Sequence, residues 1–286
     1  MGGTATTGTT WLLLEQSGPW GAKALTQSHL DPELGRALEA RSRDTGLRVA
    51  LIRRPGRHAD RPPTPSRQVY LGHTRPGRSW VREALVADPA ELLDLDFAAL
   101  GAGDHGGVGT AYQGDPLALV CTNGRRDRCC ALLGRPLATE LVASGHQAVW
   151  ETTHLGGHRF SPTMLVLPYG YAYGRLSPHT AKEVLSATHE GRMVGEWCRG
   201  RSAWEPPGQA AELAVRRLAG EDRAEALTLR QQAGPDGWTV TVGHQDGRSW
   251  TVRVAAGASE PPRSQSCGAE LVTPVRYDVQ AVTRTG

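Results

Sequence analysis

The amino-acid sequence predicts an α/β fold, and three observations carry that expectation. Short apolar runs rich in β-branched residues, such as "LRVALIRR" (47–54) and "TMLVLP" (163–168), alternate with stretches that open on helix-start signals. The last third instead shows strict apolar–polar alternation, in "WTVTV" and "SWTVRV" around "GHQDGR". At 286 residues, with 39% hydrophobic and 21% charged residues, the chain is long enough and apolar enough to bury a proper core.

Taken in order, "TWLLLEQ" (10–16) reads as a strand followed by the turn-like "SGPWG". Asp31 and Pro32 open a helix that stops at Gly46, because Asp caps and Pro fits a first turn. "LRVALIRR" follows as a strand, and "RQVYLGHT" (67–74) with "SWVREALV" (79–86) reads as a hairpin. The proline-rich "RPPTPSR" (61–67) predicts a surface loop, and the glycine-rich stretch 101–116 predicts a linker. "LALV" (117–120) is a buried strand delivering Cys121 at its end. A helix over about 130–144 follows, with Leu133, Leu137 and Leu141 on one face and Gly145 as its stop. "AVW" (148–150) is a second strand running into the histidines. "TMLVLP" and "YAYGRL" (171–176) form a hairpin, and Ser177 and Pro178 open the helix of 178–190. A helix over 207–220 and a last strand in 271–282, placed at an edge or split by Pro274, complete the reading. No internal repeat and no heptad pattern is visible.

Composition excludes several classes. No apolar run approaches the roughly 20 residues that span a bilayer. The opening "MGGTATTGTT" lacks a basic residue and "WLLL" is too short for a signal core, so the expected location is the cytoplasm. A net charge of +3 without a concentrated basic motif argues against nucleic acid as a partner. Five cysteines cannot all pair within one chain, and in a reducing compartment clustered cysteines read as metal-binding or redox groups.

The chemistry concentrates in "CTNGRRDRCC" (121–130) and "HLGGHR" (154–159). Histidines four apart resemble the zinc-protease helix. Gly156 and Gly157 argue against a helix, however, and the required glutamate is missing. Cys121 ends a strand, Cys129 and Cys130 begin a helix, and the histidines follow the end of another strand. Loops at strand carboxyl ends gather where ligands bind. Two loops, each offering two soft donors, can enclose zinc or a two-iron cluster, and spacing alone leaves both open.

"CTNGRRDRCCALLGRP" together with "VWETTHLGGHRFSPTMLVLPYGYAYGRL" closely resembles the sucrase/ferredoxin-like family, whose metal module is similar to thioredoxin-like [2Fe–2S] ferredoxins. The resemblance implies a cluster held by Cys121, Cys130, His154 and His158. The family spacing of eight residues between cysteines selects Cys130, with Cys129 as the alternative second thiolate. It also implies two thiolates on one iron and two imidazoles on the other, as in Rieske centres. Those operate at about −150 to +300 mV, against about −400 mV for plant-type four-cysteine ferredoxins. No sucrase activity is expected, since no convincing pair of catalytic carboxylates is present.

The expected organisation is an N-terminal α/β domain (1–105), a thioredoxin-like ferredoxin domain (106–195), and a helix plus β-rich C-terminal extension (196–286). The expected function is electron transfer or redox sensing with a redox partner protein, rather than stand-alone enzyme action. The alternatives are a zinc-stabilised structural or interaction module with the same ligands, and a thiol oxidoreductase using Cys129 and Cys130. The last ranks lowest because adjacent cysteines close a strained ring. Cys198 and Cys267 read as structural or incidental, and Arg126, Asp127 and Arg159 as structural.

Overall fold

A computed structural model describes residues 1–56 and 65–286 of the chain. Most of the proline-rich stretch expected to be a loop therefore lies outside the described residues.

The first half of the main sheet begins with β1 (Thr10–Glu15) and α1 (Pro32–Ser42). Asp31 caps this helix, accepting the Glu33 N–H at 2.7 Å, and Pro32 occupies the first turn as expected. β2 (Leu47–Arg53) then runs parallel to β1. β3 (Arg67–His73) and β4 (Trp80–Val86) form an antiparallel hairpin, with β3 also paired to β1. After α2 (Phe97–Ala102), the two-residue β5 (Thr110–Ala111) adds to the β4 edge, so the expected linker contributes to both elements.

The second half uses the same order of elements. β6 (Leu117–Cys121), α3 (Arg128–Ala143) and β7 (Val149–Thr152) make a parallel crossover. β8 (Thr163–Leu167) and β9 (Tyr171–Gly174) make an antiparallel hairpin beside β6. α4 (Pro178–His189) follows, capped by Ser177, and β10 (Cys198–Arg201) pairs with β9. The ten strands run β10-β9-β8-β6-β7-β2-β1-β3-β4-β5. Each half thus contributes a hairpin followed by a parallel pair, and the halves meet where β2 and β7 pair antiparallel.

Strand register explains how the core is divided. Ile52 lies opposite Thr152, so Leu51 and Arg53 share one face of the sheet with Val149 and Glu151. On that face α1 and α2 cover Leu12, Leu14, Leu51 and Leu71, while α3 and α4 cover Val120, Val149, Met164 and Val166. Each such fully buried side chain contributes roughly 1.5–3 kcal/mol. Between the two helical layers, Arg53 and Glu151 form a buried ion pair at 2.8 Å, and Arg53 stacks over Trp20. The opposite face carries Trp11, Leu13, Ile52, Leu119, Cys121, Trp150 and Leu165 in one continuous apolar cluster.

α3 differs from the sequence expectation. Its buried face is Cys130, Gly134, Leu137, Ala138 and Leu141, whereas Leu133 is 48% exposed. The helix begins at Arg128, and the stripe that meets the sheet runs through Gly134 rather than Leu133.

The C-terminal part holds α5 (Pro206–Ala219) and β11 (Leu227–Gly234), β12 (Gly237–His244) and β13 (Ser249–Ala258). Next come β14 (Arg263–Ser264), β15 (Leu271–Val272) and β16 (Val275–Arg284). β11, β12, β13 and β16 make a four-stranded antiparallel sheet on which α5 packs Ala211 and Val215. Pro274 does split the last strand, and β16 takes an edge. β14 and β15 pair only with each other, in an excursion between β13 and β16. Among the described residues, no helix is long and apolar enough to cross a membrane.

Candidate metal centre

Cys121 closes β6, Cys129 and Cys130 lie in the first turn of α3, and the connection between them is residues 122–127. So short a connection sets the helix start directly against the strand end. Gly134 permits the approach, since a Cβ there would collide with the Cys121 carbonyl. Beside them, β7 ends at Thr152 and the chain turns through Gly156 and Gly157, both at positive φ, before His158 opens a short 3-10 turn. The loop is therefore not a helix, as the two glycines predicted, and it carries both imidazoles to the same strand ends.

Two groups of donors result. Cys121 Sγ, Cys130 Sγ and a ring nitrogen of His154 lie within 4.8 Å of one another, with both thiols buried. Cys129, His158 and Cys267 form a second such group. There Cys129 Sγ is 3.5 Å from His158 Nδ1 and 3.7 Å from Cys267 Sγ. Of the four expected ligands, three share the first group and His158 belongs to the second. Asp127 joins the two, with its carboxylate 3.5 Å from His154 Nδ1 and 3.9 Å from His158 Nδ1.

Cys267 enters from the β14–β15 excursion, 138 residues from Cys129 in sequence. Its backbone N–H and the Ser266 hydroxyl both donate to Asp127 Oδ1 at 2.7 Å. His158 Nε2 lies 3.0 Å from the Ser264 carbonyl, which can only accept, so Nε2 carries the proton. Nδ1, on the other side of the ring, faces two thiols and a carboxylate. Asp127 is also the residue before α3, yet its side chain makes no capping bond and turns to this centre instead. It forms no ion pair with Arg126 among the described residues.

The thiols are electrostatically unequal. The hydrogen bond from Cys130 draws the Cys121 thiol well below its ordinary range, against the opposing effect of burial; His154 adds to the lowering. The same bond and burial hold Cys130 protonated far above its ordinary range. Burial and the Cys267 thiol push Cys129 up to about 11. Burial raises the Asp127 carboxyl, but the Ser266 and Cys267 hydrogen bonds outweigh it and leave the group below its usual value.

His154 Nδ1 and Asp127 Oδ2 are buried, and neither makes a hydrogen bond among the described residues. These two buried atoms face each other at 3.5 Å without a hydrogen bond, at the focus of soft donors, and mark where a bound metal would satisfy them.

The sucrase/ferredoxin-like family model matches residues 1–200, which include both loops and the whole ten-stranded sheet except its last residue. The chain belongs to the sucrase/ferredoxin-like family. No curated protein and no solved structure matches it. In this family member, Cys267 and the excursion that carries it lie beyond the matched segment. Sequence spacing offered no signal for Cys267, because its approach depends on tertiary pairing of the C-terminal sheet.

Proposed function

We propose that the chain carries a [2Fe–2S] cluster and acts in electron transfer or redox sensing with a partner protein in the cytoplasm. Cys121, Cys130, His154 and His158 are its ligands in this reading, with Cys129 as the alternative to Cys130. The observation that carries it is the gathering of Cys121, Cys130 and His154, with the Nδ1 atoms of both histidines turned to the one Asp127 carboxylate. The donor set fits the group: thiols and imidazoles are the ligands of mixed cysteine–histidine clusters, and a cluster supplies one-electron chemistry at potentials that imidazole ligation raises.

The residues around it have definable tasks. The low proton affinity of Cys121 presents a thiolate, and the α3 amino terminus favours negative charge beside it. The Ser264 carbonyl fixes the His158 tautomer that leaves Nδ1 free. The β-α-β-hairpin-α order of residues 117–189 is similar to a thioredoxin-like ferredoxin module, and residues 10–102 have the same order. We assign the module to 106–195, the preceding α/β unit to 1–105 and the extension to 196–286.

Zinc is the second reading, and the Cys129–His158–Cys267 group favours it, since two thiols and one oriented imidazole suit a tetrahedral ion. Freshly purified protein decides between them. A brown colour bleached by dithionite, with matching iron and acid-labile sulfide, supports the cluster. Colourless protein containing stoichiometric zinc overturns it, as does metal-free protein with a redox-active Cys129–Cys130 pair.

A further inference from the structure

Four arginines are buried among the described residues, and three of them have a carboxylate partner. Arg53 meets Glu151 at 2.8 Å, Arg201 meets Glu225 at 2.6 Å, and Arg216 meets Glu212 at 3.1 Å. Arg199, only 1% exposed, has none among the described residues. Its guanidinium donates to the Gly156 carbonyl at 3.0 Å, to the Thr4 hydroxyl at 3.2 Å and to the Thr4 carbonyl. It also lies over the Phe160 ring, 5.3 Å from the centroid. Neutral acceptors satisfy its N–H groups but leave its charge uncompensated, and an uncompensated buried charge costs several kcal/mol.

Its position shows which anion is missing. Arg199 packs beneath the turn that carries His154 and His158. A Cβ on Gly157, which sits at φ +70°, would collide with its guanidinium. Cys198 is its chain neighbour, and burial pushes that thiol up to about 12, so it stays neutral at ordinary pH. The turn that Arg199 braces carries two donors of the candidate centre, where a bound cluster would supply the missing negative charge.

We propose that Arg199 is the built-in counter-cation of the metal centre, raising its reduction potential while holding the Gly156–Gly157 turn in place. The inference rests on the cluster reading above. Reduction adds one negative charge to the cluster, and a fixed positive charge in a poorly screened interior stabilises the reduced form more than the oxidised one. Arg199 is a positioning and tuning residue, not a ligand.

The test is an optical or EPR-monitored redox titration of cluster-loaded full chain, comparing wild type with Arg199→Gln and Arg199→Lys. Removing the charge should lower the reduced-to-oxidised ratio at fixed ambient potential by at least tenfold, which is 59 mV for a one-electron couple. Lysine keeps the charge but not the fork of hydrogen bonds. It should hold the potential near wild type while the melting temperature falls. Where the Gln variant does not fold, Arg199→Met fills the same space without charge and serves in its place. A loaded uncharged variant with an unchanged potential overturns the proposal and leaves the cluster reading intact, as does a Lys variant whose potential falls as far as that of Gln. Wild-type protein lacking iron and sulfide overturns the cluster reading itself, and this proposal with it.

Discussion

The two halves of the ten-stranded sheet have the same order of elements and differ in what joins strand to helix. In the second half, residues 122–127 connect β6 to α3, and Gly134 lets the helix sit against the Cys121 carbonyl at the strand end. In the first half, residues 16–31 connect β1 to α1. That longer connection fills the same kind of corner with its own buried Trp20, Ala24 and Leu30. Gly35 of α1 also permits a close approach, but what it accommodates is the Leu25 backbone of the loop itself. One topology therefore yields two outcomes: a long connection makes a packed corner, and a short one makes a pair of facing thiols. The fold supplies the corner, and loop length decides whether chemistry can occupy it.

The sharpest way to break the comparison is to disarm the second half. Cys121→Ser and His154→Ala should each reduce bound iron to below about a tenth of wild type by colorimetric assay, because each removes a donor at the focus of the centre. The far-ultraviolet circular dichroism should persist, since the sheet does not depend on these donors for its pairing. Retention of full iron in both variants would remove the second half's claim to the site.

A matched pair of glycine substitutions separates corner from centre. Gly134→Ala and Gly35→Ala each force a methyl group into backbone, so both should cost about 1–3 kcal/mol in denaturant unfolding. Only Gly134→Ala should also lower iron content, because only there does the displaced helix carry Cys130 away from Cys121. Equal iron loss in the two variants would mean that the corners are not functionally distinct.

Much of the second half was legible in sequence and little of the kinship between halves. The strand ending in Cys121, the helix beginning near Cys129, and the non-helical histidine turn all follow from local rules about glycine and apolar runs. The repeated topology was legible only as the expectation that the N-terminal domain is itself thioredoxin-like, because it rests on strand order, and residues 10–102 and 117–189 share no motif that marks it. β11 was missed because "RQQAG" at its end is polar and solvent-facing, so alternation fails there. Cys267 was treated as incidental because its distance to Cys129 is set by the pairing of β14 with β15. Asp127 was read as structural, an ion-pair partner of Arg126 in the loop, because its acceptance from Ser266 and Cys267 depends on tertiary contact.

The first half has a pH signature of its own. Thr10 Oγ1 donates its single proton to the Leu100 carbonyl at 2.7 Å, so at 2.8 Å it accepts from His73 Nδ1–H. His73 Nε2 is buried with no hydrogen-bond partner among the described residues. Burial, and then the charges of Arg75, Arg201 and Arg78, lower its pKa to about 4. Because the folded value lies below the unfolded one, between pH 6.5 and about 4 the unfolded chain binds a proton that the folded chain refuses. Stability therefore falls as pH falls through that window, by roughly 2–3 kcal/mol in all. His73→Gln should flatten the slope measured by urea unfolding at successive pH values. An unchanged slope would place the acid sensitivity elsewhere.

The smallest effect is expected at the excursion that reaches the centre from outside the family-matched segment. In Cys267→Ser the backbone N–H that donates to Asp127 remains, as does the Ser266 hydroxyl, so the carboxylate keeps both hydrogen bonds. The cost to stability should stay within about 0.5 kcal/mol, the range of surface changes away from packing and caps. Iron content should be unchanged where Cys121 and Cys130 are the thiolates. What should change is zinc uptake by cluster-free protein, because Cys129 and His158 alone leave two positions of a tetrahedral ion to water. Weaker zinc binding with intact iron loading makes the second donor group separate from the cluster. Joint loss of iron and zinc binding would instead make Cys267 part of one centre, fed from both the family-matched segment and the extension.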